Sequence, residues 1–155
     1  MTFIDKVIIF VATGAWTGKI PVAPGTFGTL TGILFVLCFN FISPGYETVY
    51  VVALIIFAIW ISDMAEKILQ QKDPGCIVID EIAGYVVAMA GIPLSIYTIG
   101  AGFILFRFFD IIKPFPVKYF ENKFKGGPGI VLDDLIAGLL STFILRILIK
   151  FNILV

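Results

Sequence analysis

At 155 residues the chain has room for one domain, taken as residues 1–155. Apolar residues make up 59% and charged residues 14%, against roughly 45–50% and about 25% in soluble domains, so an ordinary soluble protein is excluded and an integral membrane protein is expected. Net charge is zero, which leaves no broad basic surface of the kind nucleic acid requires.

Histidine is absent. That removes His-dependent nucleophilic hydrolysis and His general-base schemes, and leaves carboxylates, Lys, Arg, hydroxyls or a metal to do any chemistry. Cys38 and Cys76 suit neither a disulfide framework nor, without histidine, a zinc site. They are read as packing residues.

The chain opens with an apolar segment, Thr2–Ala12, that carries Asp5 and Lys6. It is too short for a span of about 20 residues, and no convincing cleavage site marks it as a signal peptide. An interfacial or partly inserted helix is expected. A Gly-, Pro- and Thr-rich loop follows from Gly14 to Thr29. Pro24-Gly25-Thr26 reads as a helix start with Thr26 or Thr29 as N-cap. Free N–H groups at such a start suit an anion; a capped turn at the membrane surface is the plainer alternative.

Apolar runs then cover Leu30–Ile42 and Val49–Ile61, separated by a turn at Ser43-Pro44-Gly45. Asp63, Glu66, Lys67 and Lys72 continue the second run as a helix with a solvated face. Asp73-Pro74-Gly75 turns the chain into Asp80-Glu81 and the run Ile82–Gly91. A break at Gly91–Ser95 precedes Ile96–Phe109, and the last run is Leu135–Ile149. Between these two runs lies the densest charge in the chain, from Arg107 through Asp110 and Lys113 to the glycine-rich Gly126–Gly129 and Asp133-Asp134.

Lys and Arg are missing from Ile20 to Glu66, from Asp73 to Phe106 and from Gly126 to Leu145. By the positive-inside rule the basic clusters are cytoplasmic. A hairpin of two short helices on either side of Gly91–Ser95 then brings Asp80 and Arg107 to one face; a single kinked span from Ile82 to Phe106 would put them on opposite faces. The hairpin predicts about five short membrane helices behind the N-terminal interfacial one. It also predicts a cytoplasmic amino end and an external carboxyl end, although Arg146 and Lys150 weigh against that last placement.

On this topology Asp80, Glu81, Asp110, Asp133 and Asp134 gather at one interface. Carboxylates at membrane depth need a partner, and Mg2+, which prefers oxygen ligands, is a suitable one. Neighbours such as Asp133 and Asp134 point about 100° apart on a helix, so only one of each pair need face the metal. Arg107 is a natural phosphate fork and can also form a structural pair with Asp110 at i, i+3. Lys113 adds a point charge. Gly127, in the glycine turn, allows close approach of backbone to a ligand, and Gly25, Thr26 and Thr29 supply further phosphate contacts. Asp133 read alone is equally compatible with an N-cap. Lys118, Lys123 and Lys125 read as a patch facing lipid headgroups.

Three blocks carry a family resemblance: Pro21–Thr29, Ile77–Gly84, and Phe106–Pro116 with Gly126–Gly138. Their order and spacing resemble the phosphatidylglycerophosphatase A family from about Gly14 to Gly138; the basic Lys19 is not part of that pattern. The resemblance implies an all-α, multi-pass enzyme of the bacterial cytoplasmic (inner) membrane. It implies Mg2+-dependent removal of the terminal phosphate of phosphatidylglycerophosphate, giving phosphatidylglycerol, with the site facing the cytoplasm. In the expected reaction, water activated at the metal site attacks phosphorus; direct attack by a carboxylate, through a phospho-aspartate, stays open. A small cation transporter and a lipid-binding protein without activity are the alternatives. Oligomeric state is not legible.

Overall fold

The computed structural model describes residues 1–115, 117 and 124–154. Among them six α-helices and no strand are found: α1 (Phe3–Ala12), α2 (Pro24–Leu37), α3 (Pro44–Leu69), α4 (Ile79–Met89), α5 (Ile96–Ile112) and α6 (Gly127–Lys150). Short 3-10 turns cover Thr17–Lys19 and Cys38–Phe41. Lys118 and Lys123, expected in a headgroup-facing patch, and Pro116 lie outside the described residues.

Local chemistry sets each helix start. Thr2 and Asp5 cap α1 reciprocally, Asp5 N–H to Thr2 Oγ1 at 3.2 Å and Thr2 N–H to Asp5 Oδ2 at 2.6 Å. Ser95 and Thr98 do the same for α5. α2 differs from the expectation: neither Thr26 nor Thr29 is its N-cap. The helix begins at Pro24, after Ala23 in the left-handed region (φ 50°) and with no side-chain cap. Proline at the first turn sacrifices only an N–H that has no helical partner there.

The helices also run past the apolar stretches that signalled them. α3 has 26 residues and α6 has 24, about 39 and 36 Å at 1.5 Å per residue. Asp133 and Asp134 therefore sit in the second turn of α6, and Asp133 is not an N-cap; Gly126 holds that position. α4 and α5 are separate helices joined through 90–95, as the hairpin reading requires and the single kinked span does not.

α4 is the centre. It has 11 residues and all but Glu81 are buried, the expected fate of a helix apolar all round. It packs most extensively on α6, then on α2, α3 and α5. The α4–α6 crossing is made by glycine. A Cβ on Gly84 would strike the Asp134 carbonyl, and one on Gly138 would strike the Gly84 carbonyl. Thr142 Oγ1 continues the seam by donating to the Val87 carbonyl at 2.9 Å.

The outer surface is apolar. Leu30 and Leu34 on α2, Val49, Val52, Ile56 and Trp60 on α3, Ile104 and Phe108 on α5, and Leu139 and Phe143 on α6 are all exposed. Contiguous apolar surface on this scale marks a membrane or protein contact. Two segments, Pro24–Phe41 and Gly45–Leu69, are long and apolar enough to cross a bilayer. α1 packs on α3 and exposes Phe3, Ile4, Val7 and Phe10.

Candidate active site

Each carboxylate of the central cluster lies one helical turn from a glycine of the α4–α6 crossing. Asp80 precedes Gly84 by four residues, and Asp134 precedes Gly138 by four. Residues at i and i+4 share a helix face, so the contact that brings the two glycines together also brings Asp80 to Asp134. Glu81 joins them: Asp80, Glu81 and Asp134 each offer an oxygen, all within 4.8 Å of one another. Asp134 is only 3% exposed and Asp80 8%.

Three anions packed this closely and out of water repel strongly, and each needs a compensating charge. Arg107 supplies part of it. Its Nη1 is 3.9 Å from Glu81 Oε1, but its short bond, 2.5 Å, goes to Asp110 Oδ2. Asp80 Oδ1 and Glu81 Oε2 are buried without a hydrogen-bond partner, as is Arg107 Nε. Three carboxylates gathered within 4.8 Å, two of them with a buried oxygen lacking a partner, fit a hard cation, which takes oxygen ligands. The residues that would hold it are Asp80, Glu81 and Asp134.

The other two acidic residues are engaged differently. Asp110 holds Arg107, and Asp133 Oδ2 holds Lys113 Nζ at 2.7 Å, leaving Asp133 Oδ1 buried and unpartnered. The five carboxylates expected at one metal thus divide into a group of three and two that orient cations. Lys113 has the left-handed backbone of a helix C-cap (φ 46°, ψ 57°), which ends α5 and lets its side chain reach α6.

The start of α2 closes the site. A Cβ on Gly25 would collide with Glu81 Oε1 and the Arg107 guanidinium, so this turn abuts the charged cluster directly and requires glycine. Its neighbours are committed elsewhere. The Thr26 N–H donates to the Ala23 carbonyl at 3.0 Å, and buried Thr29 donates its hydroxyl to the Gly25 carbonyl at 2.9 Å.

Gly127 is not brought to the cluster. Its N–H points to Asp63 Oδ1 at 3.3 Å, and a side chain there would strike the Ile59 carbonyl of α3. The glycine turn allows α6 to start hard against α3, and Asp63, read as merely solvated, receives that start. Lys19 lies over the Trp16 ring, 3.9 Å from its centroid. The residues that went unassigned in the sequence are Gly84 and Gly138; their signal was a glycine four places after a carboxylate in each helix.

Comparison with known proteins agrees with the resemblance. The profile of the family described as Phosphatidylglycerophosphatase A matches residues 10–149. A protein of that name from Haemophilus influenzae is 36% identical over 139 residues, 88% of this chain and 85% of the relative. Another from Escherichia coli K12 is 33% identical over 135 residues, 86% of this chain and 78% of the relative. A Bacteroides thetaiotaomicron protein provisionally named phosphatidylinositol-3-phosphatase is 34% identical over 147 residues, 90% of this chain and 91% of the relative. No solved structure matches. With carboxylates of α4 and α6 gathered together, Arg107 of α5 beside Glu81, and a family profile that spans nearly the whole chain, this protein belongs to the phosphatidylglycerophosphatase A family.

Proposed function

We propose that the chain, acting as a single domain, hydrolyses the terminal phosphate of phosphatidylglycerophosphate to yield phosphatidylglycerol and inorganic phosphate. The observation that carries this reading is the convergence of Asp80, Glu81 and Asp134 beside Arg107 at one end of an apolar helix bundle. Family membership supplies the substrate class.

Asp80, Glu81 and Asp134 would hold Mg2+, which would supply neutralisation of phosphoryl charge and a more acidic water. The remaining residues bind and orient. Arg107, fixed by Asp110, presents its guanidinium towards the phosphoryl oxygens, and Lys113, fixed by Asp133, adds a second positive charge. Both stabilise negative charge spread over the equatorial oxygens in the transition state. Gly25, having no side chain, lets the start of α2 lie directly against Glu81 and Arg107. Asp133, whose second oxygen is buried without a hydrogen-bond partner, is the candidate acceptor for the proton of the attacking water. The water oxygen bonds to phosphorus as the bond to the glycerol oxygen breaks, and the proton taken from the water passes to that leaving oxygen, giving the lipid hydroxyl and inorganic phosphate.

The site end faces the cytoplasm of a bacterial inner membrane. The clustering of Lys67, Lys72, Lys113 and Lys125 in the segments that flank the site residues supports this orientation by the positive-inside rule. The longer helices span the bilayer, α4 is held inside the bundle, and α1 lies at the interface. Acyl chains then remain in lipid while the headgroup reaches Arg107.

Phosphate release from phosphatidylglycerophosphate in detergent micelles, with Mg2+ and with excess chelator, tests the reading. Release that is abolished by chelator and restored by Mg2+ is expected. Phosphatidylinositol 3-phosphate belongs in the same assay because of the Bacteroides relative; faster turnover of that lipid overturns the substrate assignment but not the site.

A further inference from the structure

The opposite end of the bundle holds a second charged recess that takes no part in the chemistry above. It has a volume of about 250 Å³ and lies between the start of α3, the turn after α4 and the last third of α6. Glu47 comes sixteen residues before Asp63 on α3, which places this recess about 24 Å along the helix from the level of the α6 start.

Its two charged groups are held apart. Glu47 Oε1 accepts the Gly91 N–H at 2.6 Å, a contact between residues 44 apart in sequence. Gly91 has φ +66°, and a Cβ there would come within 3.0 Å of an Arg146 guanidinium nitrogen. Carboxylate and guanidinium therefore flank the same turn, yet among the described residues no ion pair within 4.0 Å involves Arg146 or Glu47. Val51 and Val52 of α3 form the apolar side of the recess. Arg146, like Lys150, is a cation on the face that the positive-inside rule leaves poor in cations.

We infer that this recess binds the headgroup of an aminophospholipid in the leaflet opposite the catalytic end, its phosphodiester on Arg146 and its primary ammonium on the second carboxylate oxygen of Glu47. Each part of the recess selects for this ligand. A guanidinium forks a phosphate. A fixed carboxylate beside it repels a headgroup that is only anionic and pairs with one that also carries a positive charge. Among the described residues no aromatic ring lines the recess, whereas quaternary ammonium groups are recognised by aromatic faces, so ethanolamine is favoured over choline. The valines on a membrane-crossing helix place the site at a lipid chain and not at a soluble ester. The inference rests on the membrane reading and is independent of the phosphatase reading.

The full chain is reconstituted into nanodiscs of phosphatidylcholine containing equal amounts of phosphatidylethanolamine and phosphatidylglycerol. Lipids retained on the released protein are then counted by native mass spectrometry. Wild type is expected to retain phosphatidylethanolamine with a preference of about tenfold, the scale of one hydrogen bond to a charged group. Arg146→Gln should lose retained lipid and Arg146→Lys should keep it, which separates lost charge from misfolding. Glu47→Gln still accepts the Gly91 N–H and should lose only the preference for phosphatidylethanolamine over phosphatidylglycerol. Equal retention by wild type and Arg146→Gln, or a preference unmoved by Glu47→Gln, overturns the assignment. Because phosphatase activity is not the readout, either result leaves the proposed reaction untouched.

Discussion

Asp80 and Asp134 are costly residues for the fold taken alone, since each is almost fully buried and Asp80 Oδ1 has no partner. Replacing either by Asn removes a charge while nearly preserving shape. In chelator, Asp80→Asn and Asp134→Asn should therefore melt at higher temperature than wild type, because a buried uncompensated charge has gone. In Mg2+ the same variants should lose at least about 100-fold in turnover, beyond the roughly 10–100-fold typical of residues that only support a metal ligand. Thermal melts with and without Mg2+, beside the phosphate assay, check both halves; variants that are less stable in chelator and still active would remove Asp80 and Asp134 from the site. Arg107 makes a different prediction. Lysine cannot hold Asp110 and face Glu81 and phosphate at once, because it lacks the planar fork. Arg107→Lys should lower kcat/KM by about 10–100-fold, the worth of one or two hydrogen bonds to charged groups, with little change in melting temperature.

The helix crossing, not any single carboxylate, makes the cluster. Gly138→Ala places a methyl group on the Gly84 carbonyl, and overpacking of this kind costs about 1–3 kcal/mol. Pushing α6 from α4 also separates Asp134 from Asp80. The expected outcome is weaker Mg2+ dependence of activity, visible as a higher metal concentration at half-maximal rate, together with a lower melting temperature. Gly100→Ala is the control. It lies on α5 with open space around it, so it should leave metal dependence unchanged and gain up to about 1 kcal/mol from helix propensity. Much of this was legible beforehand. Apolar runs and their breaks located every described helix but not its limits, and the turn at Gly91–Ser95 was enough to bring Asp80 and Arg107 to the same end. Which carboxylates face each other was not legible, because Asp133 and Asp134 differ by only one step of helix phase. Asp133, one step round the helix from Asp134, pairs instead with Lys113, the left-handed C-cap of α5. Helix limits were missed for a related reason: hydropathy stops at the first charged residue, whereas a helix continues while its backbone groups find partners, as α6 does from Gly127 against Asp63.

At the scale of the whole molecule the chain has two chemically distinct ends, joined by helices whose outer faces are apolar. One end carries the carboxylate cluster, Arg107 and most of the lysines. The other carries Glu47, the Gly91 turn and Arg146. In a bilayer this polarity fixes orientation, and the chain supplies reporters for it. Cys38 is exposed at the distal end of α2, while Lys72 is exposed just beyond the site end of α3. Taking Cys76→Ser as background leaves Cys38 as the sole thiol. A membrane-impermeant maleimide added to intact cells whose outer membrane has been opened should then label Cys38. In a Cys38→Ser, Cys76→Ser, Lys72→Cys chain the same reagent should label only after the inner membrane is disrupted. The logic depends on the distance between the two ends: α3 alone is about 39 Å long, more than the roughly 30 Å of hydrocarbon, so both thiols cannot be reached from one side while α3 spans. Labelling of Lys72→Cys from outside would invert the molecule and place Asp80, Glu81 and Asp134 in the periplasm. Phosphate would then be released outside the cell, and the lysines would require an explanation other than the positive-inside rule. Labelling of both from outside would mean that α3 does not cross the membrane, and its exposed Val49, Val52, Ile56 and Trp60 would have to be covered by protein instead of lipid.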